Sequence, residues 1–307
     1  MDYENYMELY ESVYFFNRIQ IHRCNDNDLD NKLLDESIYK AVTRILVVNK
    51  LLDYNGSTFV MTNEHKEKHR YILENIINKT QNEHYAKMFS KAMSESQFFF
   101  DSISDLEYEI YSRYNFPITF ETGNEAVKHV DLSNKRVLEL GGNSGGLATA
   151  VVTNAKNCRY TVVDTKIPCM IGNEFKELNN VNIAFIESNV FDLTLPNESC
   201  DYYDYIVIMN LLHDFDDTKC ADILRNCIKY CDSTTKFLII EDILTGEFEP
   251  FEPKEAIMHG LRLSVECRGG KQRTADELAR LFLNVKYKRE KAIKLSNVHT
   301  MMVMAAM

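Results

Sequence analysis

The sequence predicts an α/β protein: a doubly wound, mostly parallel sheet with an antiparallel terminal hairpin, preceded by a mainly α-helical, winged-helix segment. Three observations predict it. From Arg136 onward, short β-branched runs alternate with helical segments, and the runs are apolar without alternation, as expected of parallel strands covered on both faces. The last two runs, Val285-Lys286-Tyr287-Lys288 and Thr300-Met301-Met302-Val303-Met304, have only the short connection Arg289 to His299 between them, so they should pair antiparallel at the sheet edge. Upstream of residue 115 the pattern is helical and rich in Tyr, Phe, Asn and Glu.

The first helix carries Tyr3, Tyr6, Met7, Tyr10, Val13, Tyr14 and Phe16, more aromatic surface than one face of a solvated helix accommodates. It is expected to pack against a partner chain. Asp35 or Ser37 can cap a helix bearing Ile38, Val42, Ile45 and Leu46 at helical spacing. Asn55-Gly56 is a strong turn dipeptide, followed by Thr58-Phe59-Val60-Met61. Helix and small hairpin together outline a winged helix, a shape that often binds DNA. That helix offers only Lys40, Arg44 and Lys50, too little positive charge for a phosphate backbone. Dimerisation is the better expectation.

Downstream, strands are expected at Val137-Leu138-Glu139-Leu140, at Tyr160 to Asp164, at Asn182 to Ile186, at Tyr205 to Met209 and at Phe237 to Glu241. Helices are expected from Gly145 to Lys156, Pro168 to Leu178 and Asp217 to Tyr230, and Thr274-x-x-Glu277 is a capping box for a later one. Residues 1–115 and 116–307 are thus read as two domains.

Composition narrows the function. The chain has 307 residues, is 45% hydrophobic and 26% charged, and carries a formal net charge of −11, the profile of a globular protein whose acidity disfavours nucleic acid and anionic membranes as partners. No apolar run approaches the ~18 residues of a membrane span. The acidic Met-Asp-Tyr-Glu start lacks the features of a signal peptide, and the eight cysteines include no Cys-x-x-Cys pair, so a cytoplasmic location with reduced thiols is expected. Cys220, Cys227 and Cys231 share a helical stripe and are read as core rather than zinc ligands.

The segment Glu139-Leu140-Gly141-Gly142-Asn143-Ser144-Gly145-Gly146 lies between an expected strand and helix. Glycines there allow a sharp turn and close approach to a ligand, and the helix start supplies unpaired N–H groups. The pattern is E-x-G-x-x-x-G, not the G-x-G-x-x-G of dinucleotide folds; a purely structural turn is the alternative. Asp164 ends the next strand, where a carboxylate can accept both hydroxyls of a ribose or simply cap the following helix.

These features, with Asn210-Leu211-Leu212-His213-Asp214-Phe215-Asp216-Asp217 and Gly269-Gly270-Lys271-Gln272-Arg273-Thr274, resemble the class I S-adenosylmethionine-dependent small-molecule O-methyltransferases that include caffeic acid and hydroxyindole O-methyltransferases. The resemblance covers nearly the whole chain. It implies S-adenosyl-L-methionine as cofactor, a small, aromatic, hydroxylated metabolite as substrate, and a homodimer formed through an N-terminal winged-helix domain. It makes His213 the general base, Glu241 its orienter, and Gln272 the residue standing where the family often has a second carboxylate. Cofactor contacts are expected from Glu139, Gly141, Gly142, Asp164, Asn189, Val190, Phe191 and Asn210. Asn143 stands where the family often has Gly, Asn189 where it has Asp, and Met209 where plant members have Lys. Substrate contacts are expected from Met93, Met258, His259 and Arg262; Arg262 would face a substrate carboxylate or pair with Glu255 or Glu266. The alternative within the same fold is C- or N-methylation of a keto acid or heteroaromatic, with a metal held by His213, Asp214 and His259.

Overall fold

The computed structural model describes residues 43–47, 49–56, 59–74, 104–196, 202–244, 263, 267, 269–295 and 299–307. The chain divides into two compact units, Met1–Phe99 with Leu244–Thr274, and Phe100–Ile243 with Ala275–Met307. The boundary expected near residue 115 falls within a helix of the second unit.

In the first unit, residues 43–47 are helical. Strands β1 (Asp53–Tyr54) and β2 (Phe59–Val60) pair antiparallel around Gly56, whose φ of 91° suits glycine. Helix α1 (Asn63–Glu74) follows, and His69 Nε2 lies 2.7 Å from the Leu51 carbonyl oxygen. Helix then hairpin is the part of the expected outline that falls on described residues; the opening aromatic helix, Asp35, Ser37 and Ile38 lie outside them.

The second unit begins with α2 (Asp105–Ala126), opened by a capping box between Ser104 and Glu107. Its sheet takes in β3 (Arg136–Leu140), β4 (Arg159–Asp164), β5 (Ile183–Glu187), β6 (Tyr205–Met209), β7 (Lys236–Glu241), β8 (Tyr287–Lys294) and β9 (Thr300–Ala306). The order is β5-β4-β3-β6-β7-β9-β8; β3 to β7 pair in parallel and β9 runs antiparallel to both neighbours. This is the doubly wound, mostly parallel sheet with an antiparallel terminal hairpin that the alternating pattern predicts. Helices α3 (Gly146–Asn154), α4 (Lys166–Asn179), α5 (Asp217–Ile228) and α6 (Ala275–Leu283) complete it.

Both faces of the sheet are covered, which explains the unbroken apolar strands. Val137, Val162, Val207, Leu238 and Val303 cluster with Leu147, Ala148 and Val151 of α3. On the alternate positions Leu138, Ile206, Ile208 and Ile239 are equally buried, and Phe237 meets Phe282 of α6 edge to face. Cys220 and Cys227 are fully buried on α5, as expected of core thiols. Among the described residues, no helix is long and apolar enough to cross a membrane.

Helix α2 is held against α3 at two glycines. A Cβ on Gly146 would sit 2.3 Å from the Phe116 carbonyl oxygen, and one on Gly123 would sit 2.7 Å from the Ala150 Cβ. Only glycine lets the two backbones approach this closely. The contact brings the start of α2 to the carboxyl edge of the sheet: Ser144 Oγ donates to the Ser112 carbonyl oxygen (2.9 Å), and the Tyr108 hydroxyl lies 3.1 Å from Thr165 Oγ1.

Candidate active site

Parallel strands deliver their following residues to one edge, and the order reverses between β3 and β6, the usual place for a ligand in such sheets. Four loops meet along that edge.

After β3, Gly141 (φ 65°), Asn143 (φ 50°) and Gly145 (φ 78°) adopt left-handed backbone, and Gly145 opens α3. Asn is among the few residues besides Gly that tolerate this conformation, which explains how the turn survives Asn143. The loop is tied to the next strand by Asn143 N–H, which donates to Asp164 Oδ2 (2.7 Å). Thr165 N–H donates to Asp164 Oδ1 (2.7 Å). Burial raises the Asp164 pKa while these two bonds oppose the rise. Asp164, Asp214 and burial keep the Tyr108 hydroxyl protonated.

Glu139 lies beneath the turn. It is 1% exposed, its Cδ is 2.7 Å from where a Cβ on Gly142 would be, and Oε2 makes no hydrogen bond among the described residues. Burial raises its pKa to about 8 against the opposing Tyr160 hydroxyl, so the carboxyl is neutral at pH 7 and supports the turn from below. An unfolded glutamate titrates near ~4.3. The folded-state value is the higher one, so stability is greatest below the unfolded pKa and declines as pH rises toward about 8. Glu139→Gln keeps the shape and removes this titration. Its ligand-free melting temperature should lose the decline and exceed that of the native chain at alkaline pH, by a stability difference of a few kcal/mol; parallel melting profiles for the two proteins would show that the carboxyl is not buried in neutral form.

After β5, Asn189 Oδ1 accepts from Phe191 N–H (2.9 Å) and caps a 3-10 turn over Val190–Asp192. Phe191 is 36% exposed and meets Phe215 edge to face at 5.0 Å. The Asn189 oxygen thus accepts one backbone hydrogen bond and keeps a second lone pair for a further donor.

After β6, Asn210 (φ 48°) leads into a 3-10 turn, Leu212–Asp214. His213 is 7% exposed, with Nδ1 2.7 Å from Glu241 Oε2 and Nε2 3.5 Å from Asp214 Oδ1. Glu241, at the end of β7, also accepts from Leu212 N–H (3.1 Å), so one buried carboxylate fixes both loop and ring. Burial alone would push the His213 pKa down; Glu241, Asp214 and Asp242 outweigh it and raise the value to about 9.

The structure thus gathers Glu139, Gly141, Gly142, Asp164, Asn189, Val190, Phe191, Asn210, His213 and Glu241 into one unit. Gln272 belongs to the other unit, where it and Arg273 are buried. Met93, Met258, His259 and Arg262 lie outside the described residues. So does the third member of the His213, Asp214, His259 metal set; among the described residues no group of three His, Cys, Asp or Glu side chains could hold a metal. Tyr108, Thr165 and His299 also stand at this edge, and no motif in the sequence marks them.

A family profile described as an O-methyltransferase domain matches residues 69–288. The chain belongs to this family. Acetylserotonin O-methyltransferase of Gallus gallus is 29% identical over 161 residues, 52% of this chain and 44% of that protein. O-methyltransferase 7 of Dictyostelium discoideum is 24% identical over 225 residues, 68% of this chain and 64% of that one. The chain spans about half the length of the curated relatives it matches. Among solved structures, an O-methyltransferase family 2 protein from Planctomyces limnophilus in complex with apigenin has a TM-score of 0.78 at 16% identity, covering 99% of this chain and 93% of that one. Human N-acetylserotonin methyltransferase, solved with S-adenosylmethionine, has a TM-score of 0.62 at 20% identity, covering 86% and 81%. Both likenesses are of fold.

Proposed function

We propose that this member of the O-methyltransferase family is an S-adenosylmethionine-dependent O-methyltransferase acting on a small, aromatic, hydroxylated metabolite, with His213 as general base. The observation that supports it most is the buried His213 Nδ1 to Glu241 Oε2 contact of 2.7 Å, at the same edge as the glycine turn and Asp164. Relatives named as O-methyltransferases, and the human structure with its bound S-adenosylmethionine, favour the same reading.

The residues present suit such a cofactor. Gly141 and Gly142 let the turn close on Leu211, Glu139 and Val162, where a Cβ would clash, Asp164 offers carboxylate oxygens to a ribose diol, and Val190 and Phe191 give an apolar surface for a base. Asn210 Oδ1 is buried and makes no hydrogen bond among the described residues. S-adenosylmethionine supplies a methyl group on a sulfonium, which a neutral phenol accepts poorly. His213 Nε2 takes the phenol proton as the acceptor oxygen forms its new bond. Glu241 accepts from Nδ1–H, selects the tautomer with an unprotonated Nε2, and stabilises the imidazolium that results. A sulfonium held near the ring would oppose a second positive charge there, so cofactor binding would move the His213 pKa down from its ligand-free value. Gln272 is the third catalytic residue of this proposal, and Met93, Met258, His259 and Arg262 are its substrate contacts. The N-terminal segment, residues 1–115, pairs two copies of a cytoplasmic protein.

Calorimetry with S-adenosylmethionine, S-adenosylhomocysteine and NAD tests the cofactor assignment. The first two should bind and NAD should not; binding of NAD alone would overturn the proposal.

A further inference from the structure

We propose that His299 is a positioning residue for the cofactor cleft, holding the Asn210 carboxamide in one orientation behind the His213 and Glu241 pair. The inference rests on the function proposed above and extends it to a residue far away in sequence.

Because β9 runs antiparallel to β7 with Thr300 opposite Glu241, the residue preceding β9 arrives at the edge where the parallel strands end. That residue is His299, 5% exposed. Its Nε2 lies 3.0 Å from Asn210 Nδ2 and 3.6 Å from Asp242 Oδ1. An amide nitrogen has only protons to offer, so Asn210 Nδ2 donates and His299 Nε2 accepts, which requires the neutral ring with its proton on Nδ1. Burial pulls the His299 pKa below its ordinary value while Asp242 and Glu241 act the other way, in keeping with a neutral ring.

The consequence is felt at Asn210. Its backbone is left-handed (φ 48°) and its N–H donates to the Ile240 carbonyl oxygen (3.0 Å). With Nδ2 turned to His299, Oδ1 must point away from the ring. That oxygen is buried and makes no hydrogen bond among the described residues, so it is an acceptor already desolvated for an N–H or O–H donor on the ligand. Without His299 the carboxamide can rotate, and the acceptor is no longer held ready.

Two measurements test this. Long-range 15N–1H correlation on the full chain, with the His299 signals identified by their loss in His299→Gln, should show Nδ1 protonated and Nε2 unprotonated in the ligand-free protein; a charged ring, or a proton on Nε2, would overturn the proposal. Calorimetry with S-adenosylhomocysteine should show about tenfold weaker binding in His299→Ala, the cost of freeing a buried hydrogen-bonded group. His299→Gln, whose side-chain oxygen can accept from Asn210 Nδ2, should restore most of the affinity. Native affinity in His299→Ala, or no rescue by Gln, would overturn the proposal. If the native chain binds no S-adenosylhomocysteine, the cofactor assignment fails, while the ring tautomer still decides the hydrogen bond to Asn210.

Discussion

Replacing His213 with Ala should lower kcat by about 10²–10⁴-fold, the usual contribution of a positioned general base, while S-adenosylhomocysteine binds nearly as before. Only the neutral ring can take a proton. In the free enzyme the His213 pKa is about 9, so kcat/KM should rise with pH and level off above that value. The midpoint seen in kcat, which reports the ligand-bound enzyme, should lie lower because the sulfonium opposes the imidazolium. His213→Ala should lose this limb. Glu241→Gln removes the carboxylate that engages both His213 Nδ1 and Leu212 N–H, so its midpoint should move down while the plateau falls, as a weaker base takes the proton less readily. Initial rates across pH, with melting temperatures to show that the variants are folded, decide the matter. A His213→Ala enzyme that keeps the native rate, or a native profile that is flat through about pH 9, would remove His213 from the proton transfer.

The catalytic sheet was legible because its chemistry is local. Strands buried on both faces leave unbroken apolar runs, and Tyr205–Met209 is observed at its expected limits. The edge strand β8 was harder to place. It was expected at Val285 to Lys288 but runs Tyr287–Lys294, largely exposed and rich in Lys, the charged edge by which a sheet avoids further pairing. The strand therefore shows neither an apolar run nor alternation. Gly141, Asp164 and His213 were legible as candidates because each ends or follows a strand that the sequence marks. Tyr108 reaches the site only through the close contact of Gly146 with α2, and His299 only through the register of an antiparallel pair. Neither the depth of a helix contact nor a strand register is written in local spacing. Glu139 was expected to contact the cofactor; its strand position is as expected, and its side chain packs against Gly142 of the turn.

Asp164→Ala should weaken S-adenosylhomocysteine binding by about 10²-fold or more, since hydrogen bonds to a charged group are worth ~1.5–3 kcal/mol each and a ribose diol offers two. Asp164 already accepts one backbone N–H on each oxygen, from Asn143 and Thr165. Oδ1 also accepts from the Thr165 hydroxyl (3.3 Å), whereas Oδ2 has room for a second donor, so a ribose hydroxyl can join Oδ2 directly and reaches Oδ1 by displacing the Thr165 hydroxyl. Removing the side chain has a second effect, because Asn143 loses the acceptor that holds its left-handed backbone over β4. Asp164→Asn separates the two effects. It keeps one acceptor oxygen and the size of the side chain but has no charge and presents NH2 to one of the backbone N–H groups, so it should lie between the native chain and Ala in affinity. The pKa of Asp164 is raised by burial, and a protonated carboxyl accepts fewer hydroxyls, so native affinity should fall as the solution is made acidic, whereas that of Asp164→Asn should not. Calorimetry at neutral and acidic pH measures all three proteins. Equal affinity in the native and Ala proteins would leave Asp164 as a tie between two loops and place the ribose elsewhere.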